Sequence, residues 1–271
     1  MKHVLITGAA GLIGTGLREQ FAGRYRLRLT DVRTPPALGE DEEFVEVDLR
    51  DSEAVHRVVE GVDAVVHLGG IASEDTWEAI RDVNIDGTYN VFESARRSEV
   101  KRVVYASSVH AVGFYPRSRK IDSDVTVLPD SRYGVSKAFG EALGALYAHK
   151  YGLEVMAVRI GNAYPEPIDE RRLSIWTSHR DLAQLIGIGL DHPGLEFEIV
   201  YGVSGNTRTW WDNTGAERLG YRPEDNAESW AETVMATAPE EPDAPGADVQ
   251  GGAFAVLESG AGLPPLTKNG D

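Results

Sequence analysis

Short apolar runs alternate with longer segments of helical periodicity through the first 162 residues of the chain. Most of the runs are continuously apolar, which is typical of strands buried on both faces of a sheet. The segments between them repeat apolar side chains every three or four residues, as amphipathic helices do. The predicted strands are 4–6, 26–30, 44–47, 64–68, 103–108 and 154–160.

This alternation predicts an α/β fold of Rossmann type, a doubly wound parallel sheet. The alternation fades after residue 162, where the pattern predicts only a helix at 178–190, a strand at 197–201 and a loop at 210–212. The sequence contains no internal repeat and no linker. We therefore expect one domain with a small C-terminal substrate-binding cap.

Three parts are expected within this single domain of residues 1–271. Residues 1–162 are predicted to form the dinucleotide-binding core, and residues 163–240 the substrate-binding part. Residues 241–271 are rich in proline, glycine and acidic side chains, which predicts an extended tail. Ligands of doubly wound sheets bind beyond the carboxyl ends of the strands, so we expect the functional residues there.

A glycine-rich turn follows the first predicted strand directly, with Thr-Gly-Ala-Ala-Gly-Leu-Ile-Gly at residues 7–14. Gly8 permits a tight turn, Gly11 lets the backbone approach a pyrophosphate, and Gly14 lets the following helix pack on the strand. The N-terminus of that helix adds free N–H groups and a positive dipole. The turn therefore predicts a dinucleotide site.

Acidic residues at strand ends support this prediction. Asp31 follows the second strand, twenty residues after Gly11. At that distance a carboxylate can accept hydrogen bonds from the adenosine ribose hydroxyls, and it repels a 2′-phosphate, so NAD is favoured. Arg33 can offset the repulsion, which leaves NADP open. Asp48 follows the third strand, where it either meets the adenine amino group or starts the next helix.

Tyr133 and Lys137 lie four residues apart in a predicted helix and share one of its faces. Nearby positive charge lowers the pKa of a phenol, so Tyr133 can serve as a general base. The same spacing is more often found on an ordinary helix surface. Ser108 changes the balance, because it ends a buried strand and projects toward the same crevice as the glycine loop.

Three further polar or glycine positions stand out. Gly69 and Gly70 follow the fourth strand, which indicates close backbone approach to a ligand. His67 lies within that strand and is predicted to be a packed core histidine. Asn84 is a poor helix former inside the helical stretch 77–97, which indicates either a specific contact or a surface position.

The composition limits the classes of partner. The chain has no cysteine, which excludes disulfides, thiolate catalysis and Cys-ligated metals. The net charge of -16 argues against nucleic acid or an anionic membrane as partner. No apolar run is long enough to cross a bilayer and the N-terminus is unlike a signal peptide, so we expect a cytoplasmic protein. Only six of the 27 basic residues are lysine, which suits either a high-salt habitat or an ordinary acidic enzyme.

The glycine turn, Asn84, Ser108 and the Tyr-x-x-x-Lys pair occur together in an order that resembles the short-chain dehydrogenase/reductase superfamily, extended type. The match covers residues 1–162. The resemblance implies Tyr133 as catalytic base, Lys137 as the residue that binds the nicotinamide ribose, and Ser108 as a hydrogen-bond partner of the reacting oxygen. The branch also contains epimerases and dehydratases of nucleotide sugars.

Motifs across nearly the whole chain resemble uronate dehydrogenases. They lie at residues 67–70, 113–116, 165–167, 171–176, 210–213 and 250–254. This resemblance implies oxidation of the C1 hemiacetal of a hexuronate to its lactone with NAD. It also implies Arg171 as the partner of the sugar carboxylate, a role suited to a bidentate guanidinium. Related enzymes are homo-oligomers, and a tail that contains residues 250–252 could reach a neighbouring subunit.

Three positions depart from that family. Ala72 stands where the family has Ser, with Ser73 next to it, Val109 replaces Asn, and Asn162 replaces Ser. A missing partner for a buried polar group costs about 1–3 kcal/mol, so the substrate could differ. A neutral aldose, such as L-arabinose or galactose, is the main alternative.

Two other functions are weaker alternatives. A nucleotide-sugar dehydratase needs an acid beside Ser108, where this chain has Val109 and His110. A non-catalytic NAD-sensing protein would usually have lost Tyr133 or Lys137, and both are present.

The site residues predicted from the sequence fall into two further groups besides the catalytic Tyr133, Lys137 and Ser108, and no metal is expected. The cofactor contacts are Gly8, Gly11, Leu12, Ile13, Gly14, Asp31, Asp48, Leu49, Leu68, Gly69, Asn84, Ser107, Tyr133, Lys137 and Ile160. The substrate contacts are Ala72, Ser73, Ser108, Val109, His110, Asn162 and Arg171.

Overall fold

Seven parallel strands form the central sheet of the computed structural model, which describes residues 1–239 and 244–257. The order across this sheet is β3-β2-β1-β4-β5-β6-β9, and β7 pairs with β8 in a separate two-stranded sheet. The strands are β1 His3–Thr7, β2 Arg26–Asp31, β3 Glu42–Glu46, β4 Ala64–His67, β5 Arg102–Ser108, β6 Glu154–Ile160, β7 Asn162–Ala163, β8 Trp176–Thr177 and β9 Phe197–Gly202.

Helices connect the strands of the large sheet. The α-helices are α1 Leu12–Phe21, α2 Ser52–Val59, α3 Trp77–Ile80, α4 Gly87–Arg97, α5 Arg132–Tyr151, α6 Arg172–Ile175, α7 His179–Asp191, α8 Thr214–Arg218 and α9 Ala231–Thr237. A π-helical turn at Arg81–Asp86 joins α3 to α4, and 3₁₀ turns lie at Val109–Val112, Ala227–Trp230 and Gly252–Ala255.

The apolar runs bury both faces of the sheet, as a doubly wound fold requires. On one face Val4 and Ile6 pack with side chains of α1 and α7, including Leu17 and Leu182. On the other face Leu5 belongs to a second core, with residues of α2, α4 and α5. The predicted Rossmann-type fold is confirmed.

The order of the strands reverses direction between β1 and β4, which are neighbours in the sheet. At such a switch point the loops that follow the two strands lead to opposite sides and leave a crevice. The glycine turn follows β1 and Gly69 follows β4, so both lie at this crevice.

The helix α5 brings the predicted catalytic residues to the same edge of the sheet. Ser131 caps it, since its side chain accepts a hydrogen bond from Gly134 N. Gly152 ends it with a φ of +75°. Gly144 lets the helix approach β6, because a Cβ there would lie 3.0 Å from the Val155 side chain. Close packing therefore holds α5 against the sheet.

The C-terminal segment, residues 244–257, differs from the extended tail predicted from its composition. It forms turns and a 3₁₀ helix that pack on the loop after β5. Gln250 N donates to Tyr115 O at 2.9 Å and Gly251 N donates to Gly113 O at 2.8 Å. The amino-acid composition of the segment could not predict these distant backbone partners. Residues 240–243 and 258–271 of the predicted tail lie outside the described residues.

In the part of the chain that the structure describes, no helix is both long enough and apolar enough to cross a membrane.

Candidate active site

A cleft of about 1250 Å³ lies beyond the carboxyl ends of the parallel strands. One end is formed by the glycine turn after β1 and the ends of β2 and β4. The other end is formed by Arg171, Arg172 and the C-terminal segment. Ser108, Tyr133 and Lys137 line the cleft between these two ends.

The glycine turn fits a pyrophosphate because side chains are excluded at two of its glycines, Gly8 and Gly14. Gly8 has a φ of +69°, and a Cβ there would lie 2.8 Å from the backbone of Gly69. A Cβ on Gly14 would lie 2.6 Å from Gly8 O. Gly11 is the N-cap of α1 and no side chain caps the helix there. The first N–H groups of α1 are therefore available to an anion.

Asp31 lies at the end of β2 and is held against the glycine turn. Its two carboxylate oxygens accept hydrogen bonds from Ala10 N at 3.1 Å and from Arg33 N at 3.0 Å. A carboxylate has about four lone-pair sites, so both oxygens can accept another donor. The Arg33 side chain is 71% exposed, and its Nε lies 3.8 Å from Asp31 Oδ1. This arrangement suits a ribose diol.

Asp48 is engaged by a neighbour. Arg50 donates to both of its oxygens, with Nε at 3.0 Å and Nη2 at 2.5 Å. These hydrogen bonds lower the pKa of Asp48. An adenine amino group would therefore share this carboxylate with Arg50.

His67 is a structural residue, as predicted. It is 1% exposed, and its ring nitrogens lie 2.7 Å from Thr7 Oγ1 and 3.1 Å from Thr88 Oγ1. Burial lowers the pKa of His67 to about 3, with Lys137 as a secondary cause. Thr7 Oγ1 also accepts from Gly69 N at 3.0 Å, so His67 supports the floor of the glycine turn.

Asn84 has a specific contact, but it lies behind the cleft rather than in its wall. Asn84 is 2% exposed; its Oδ1 accepts from Ile71 N at 2.7 Å, and its Nδ2 donates to Ile71 O at 2.9 Å and to Ser136 Oγ at 3.1 Å. The π-helical turn presents this side chain to the loop after β4 and to α5. The expected direct cofactor contact is thus replaced by a role in holding Ile71 and Ser136.

Tyr133, Ser108 and Lys137 converge in the middle of the cleft. The Tyr133 hydroxyl is hydrogen-bonded to Ser108, which in turn accepts from His110 N at 3.2 Å. Lys137 Nζ donates to Ala106 O at 2.8 Å and lies 5.5 Å from the centroid of the Tyr133 ring. Residues from β5 and α5 therefore meet as the sequence predicts.

The pKa of Tyr133 moves in the direction opposite to the one expected from Lys137. Burial raises it to about 12, while the hydrogen bond from Ser108 opposes that rise. Burial also lowers the pKa of Lys137 to about 8. Spacing on a helix could predict that the two side chains share a face, but it could not predict how little water surrounds them.

His110 faces the cleft beside Tyr133 and is oriented by an aspartate that the sequence analysis missed. Its Nδ1 lies 2.7 Å from Asp130 Oδ2, and the Asp130 side chain is fully buried. The His110 ring stacks on Phe254, with the centroids 3.9 Å apart. Asp130 and Phe254 are 124 residues apart in sequence, and no local motif connects either of them to His110.

Arg171 is a partly buried cation at the far end of the cleft. Its Nη2 donates to Gln250 O at 2.6 Å, and among the described residues its buried Nε has no hydrogen-bond partner. Burial, and then the nearby charges of Arg117 and Arg172, lower the pKa of Arg171 to about 10. No carboxylate of residues 1–239 and 244–257 forms an ion pair with it.

The departures found in the sequence have different structural outcomes. Ala72 and Ser73 line the cleft, and so does Asn162, whose Oδ1 accepts from Arg172 Nε at 3.0 Å. Val109 does not line it: the side chain is 1% exposed and packs in an apolar cluster with Trp211. The prediction of Val109 as a substrate contact is therefore corrected, because the 3₁₀ turn after β5 directs it into the core.

Every predicted site residue other than Asn84 and Val109 lines the cleft. Glu74 is a further residue that the sequence analysis missed. It accepts from Tyr133 N at 3.1 Å and from Arg132 Nη1 at 2.8 Å, so it holds the first turn of α5. Glu74 lies in a loop and contacts a helix residue 59 positions later in the chain, so no local sequence pattern could predict this contact.

Residues 4–180 match the family described as the NAD dependent epimerase/dehydratase family. Uronate dehydrogenase of Pseudomonas putida is 46% identical over 257 residues, which covers 94% of this chain and 96% of that protein.

Two solved structures resemble this chain over nearly its whole length. The uronate dehydrogenase of Agrobacterium tumefaciens has a TM-score of 0.92 at 43% identity and covers 95% of this chain and 98% of its own. The glucuronic acid dehydrogenase of Chromohalobacter salexigens also has a TM-score of 0.92, at 41% identity, and covers 95% and 97% of the two chains.

Proposed function

The chain belongs to the NAD dependent epimerase/dehydratase family, and on that premise we propose that it oxidises the C1 hemiacetal of a hexuronate to the lactone, with NAD as hydride acceptor. The likeness to uronate dehydrogenases over 94% of the chain supports this proposal. In this proposal residues 1–162 hold the cofactor, and residues 163–240 together with the C-terminal segment bind the sugar.

The observation that carries the proposal is the partly buried guanidinium of Arg171. Among the described residues this partly buried cation has no carboxylate partner, and an unpaired charge drawn out of water is costly, so the site is suited to an anionic ligand. Arg171 lies at the end of the cleft opposite the glycine turn, with Tyr133 and Ser108 between them. A hexuronate whose carboxylate meets Arg171 would direct its C1 toward Tyr133. A neutral aldose would leave the charge of Arg171 unpaired.

The catalytic step divides between a proton and a hydride. Tyr133 accepts the proton of the C1 hydroxyl as the C1–O double bond forms, and Ser108 donates a hydrogen bond to the same oxygen. The glycine turn and Asp31 would hold NAD, which when bound would supply the acceptor for the hydride that leaves C1. Lys137 contributes positive charge on the same face of α5, which favours transient phenolate.

NAD rather than NADP is supported by Asp31. A 2′-phosphate would approach its carboxylate, and the Arg33 side chain is 71% exposed and lies only at the limit of an ion pair with Asp31, 3.8 Å from Oδ1. Like charges at such a distance repel, which weakens NADP relative to NAD.

The proposal is tested with a panel of sugars and both cofactors. Initial rates of NADH or NADPH formation are measured with glucuronate, galacturonate, galactose and L-arabinose. We expect kcat/KM for a uronate with NAD to exceed that for either neutral aldose by at least about 30-fold, the value of one good charge-assisted hydrogen-bond pair. Equal or greater efficiency with galactose or L-arabinose would establish the neutral aldose alternative and reject the hexuronate.

We propose further that the enzyme is cytoplasmic and a homo-oligomer. Large apolar side chains exposed on α4 and α5 support an interface there, with Tyr89, Val135 and Leu146 exposed by 48%, 42% and 47%. Light scattering coupled to gel filtration gives the mass in solution. A mass equal to the monomer of 29.5 kDa would reject the oligomer.

A further inference from the structure

The orientation of Arg171 depends on the backbone of the C-terminal segment. Its hydrogen bond to Gln250 O, at 2.6 Å, holds Nη2, and among the described residues its Nε has no partner. Gly252, with a φ of +62°, packs against the guanidinium so closely that a Cβ there would lie 2.6 Å from Nε. Residues 250–252 therefore determine where the cation lies.

The side chain of Gln250 determines where this backbone lies. Gln250 is 0% exposed, and all of its amide atoms are engaged. Oε1 accepts from Trp211 Nε1 at 2.8 Å, and Nε2 donates to Pro116 O at 3.3 Å and to Arg119 O at 3.0 Å. A buried amide with all partners in place has one favourable orientation, because any other leaves buried polar atoms unpaired.

The partners of Gln250 are themselves firmly packed. Trp211 is 1% exposed and stacks on Tyr201, the two rings lying 5.2 Å apart at 15°. Val249 forms an antiparallel bridge with Pro116. The amide of Gln250 is thus fixed both to the core beneath β9 and to the loop after β5.

We infer that Gln250 is a positioning residue for Arg171 and thereby sets the preference of the enzyme for anionic over neutral sugars. Its side chain anchors its own carbonyl oxygen, and that oxygen holds the guanidinium. The inference rests on the proposed function, in which Arg171 binds the sugar carboxylate. Gln250 itself does not line the cleft, so it acts through Arg171.

The test is Gln250→Met, which keeps the length of the side chain and removes its three hydrogen bonds. We expect KM for glucuronate to rise about tenfold, as when one charge-assisted hydrogen bond is lost. The kcat for glucuronate and the KM for galactose should stay within about twofold of wild type, because hydride transfer does not involve Arg171. An equal loss of kcat with both sugars would indicate a merely structural role and overturn the inference.

Gln184→Met is the matched control. Gln184 also fastens a distant backbone, since its amide binds the N and O of Arg222 at 2.6 and 2.8 Å, but it lies outside the cleft. Its KM for glucuronate should equal that of wild type. If Gln250→Met does not fold, Gln250→Glu is measured instead; it keeps an acceptor for Trp211 but replaces the donor to Pro116 O and Arg119 O with an acceptor, so KM for glucuronate should again rise.

A double mutant separates action through Arg171 from an independent effect. In an Arg171→Ala background, Gln250→Met should add no further rise in KM for glucuronate, because the group that it positions is gone. If the double mutant instead shows a rise in KM for glucuronate equal to the product of the two single-mutant rises, the inference is overturned.

Calorimetric binding of glucuronate to the enzyme with NADH distinguishes the inference from the proposed function. We expect wild type to bind and Gln250→Met to bind about tenfold more weakly. Equal binding by both would overturn the inference alone. No binding by wild type would overturn the proposed function as well.

Discussion

The two ends of the cleft differ in the groups that form them and in how far apart those groups lie in the sequence. At the glycine-turn end, backbone N–H groups and the absence of Cβ atoms make the site, and one strand-turn-helix unit at residues 3–21 supplies most of it. At the sugar end, Arg171, His110 and Phe254 come from three remote segments, and backbone from the C-terminal segment joins them. The first end is one that many ligands with a pyrophosphate could share. The second end carries the specificity.

This difference predicts that mutations will separate chemistry, cofactor binding and sugar recognition. Tyr133 lies between the two ends, so removing its hydroxyl should abolish turnover and leave both binding functions. Tyr133→Phe is expected to lower kcat at least about 1000-fold, within the range of a lost general base. We expect the variant to lose NADH formation and to keep the Kd of wild type for NAD, measured by calorimetry. Near-wild-type turnover would reject Tyr133 as the base.

Gly14→Ala should damage only the glycine-turn end. The new Cβ would lie 2.6 Å from Gly8 O, so the turn or α1 must shift. We expect Kd for NAD to rise roughly 100-fold, about 3 kcal/mol, the upper part of the range for overpacking. Gly39→Ala is the control, because its Cβ would meet only the flexible Glu42 side chain at 3.5 Å. Unchanged NAD binding by Gly14→Ala would show that the turn does not cradle the cofactor.

The same contrast explains what could be read from the sequence. The glycine turn, Asp31 and the Tyr133–Lys137 pair have fixed spacings because one strand or one helix carries each of them. Asp130, Glu74 and Gln250 make their contacts across 20, 59 and 79 residues, and such distances leave no local pattern. The direction of the Val109 side chain could not be predicted either, because it depends on one 3₁₀ turn after β5.

The burial of Tyr133 was the second property that could not be predicted from the sequence. A charge four residues from Tyr133 suggested a lowered pKa, yet the packing of β5 and α5 removes water and raises the pKa of Tyr133 to about 12. The parallel sheet, by contrast, could be predicted from six apolar runs with helices between them, since that alternation allows few topologies.

Arg171→Ala should damage only the sugar end. Losing the partner of the carboxylate is expected to raise KM for glucuronate about 30-fold, about 2 kcal/mol, and to leave KM for galactose within about threefold. Steady-state kinetics with the two sugars give the ratio. An identical rise for both would mean that Arg171 does not recognise a carboxylate.

The smallest expected effect concerns the support beneath the glycine turn. Burial lowers the pKa of His67 from 6.5 to about 3, so below pH 6.5 the unfolded chain binds a proton that the folded protein does not. Stability from this group is therefore present above pH 6.5 and is lost as the pH falls toward 3. Between pH 7 and 5.5 the loss is about 1 kcal/mol.

Urea unfolding of wild type and His67→Gln at these two pH values measures this contribution. The variant should be less stable at both, and its stability should change by about 1 kcal/mol less than that of wild type between them. The same pH dependence in both proteins would show that His67 is not buried in its neutral form.

The most direct measurement follows the hydrogen at C1. Glucuronate carrying deuterium at C1 is oxidised with unlabelled NAD, and the products are examined by mass spectrometry and NMR. We expect one deuterium in each NADH and a lactone without deuterium at C1. Deuterium that remains in the sugar, with NADH unlabelled, would contradict oxidation at C1.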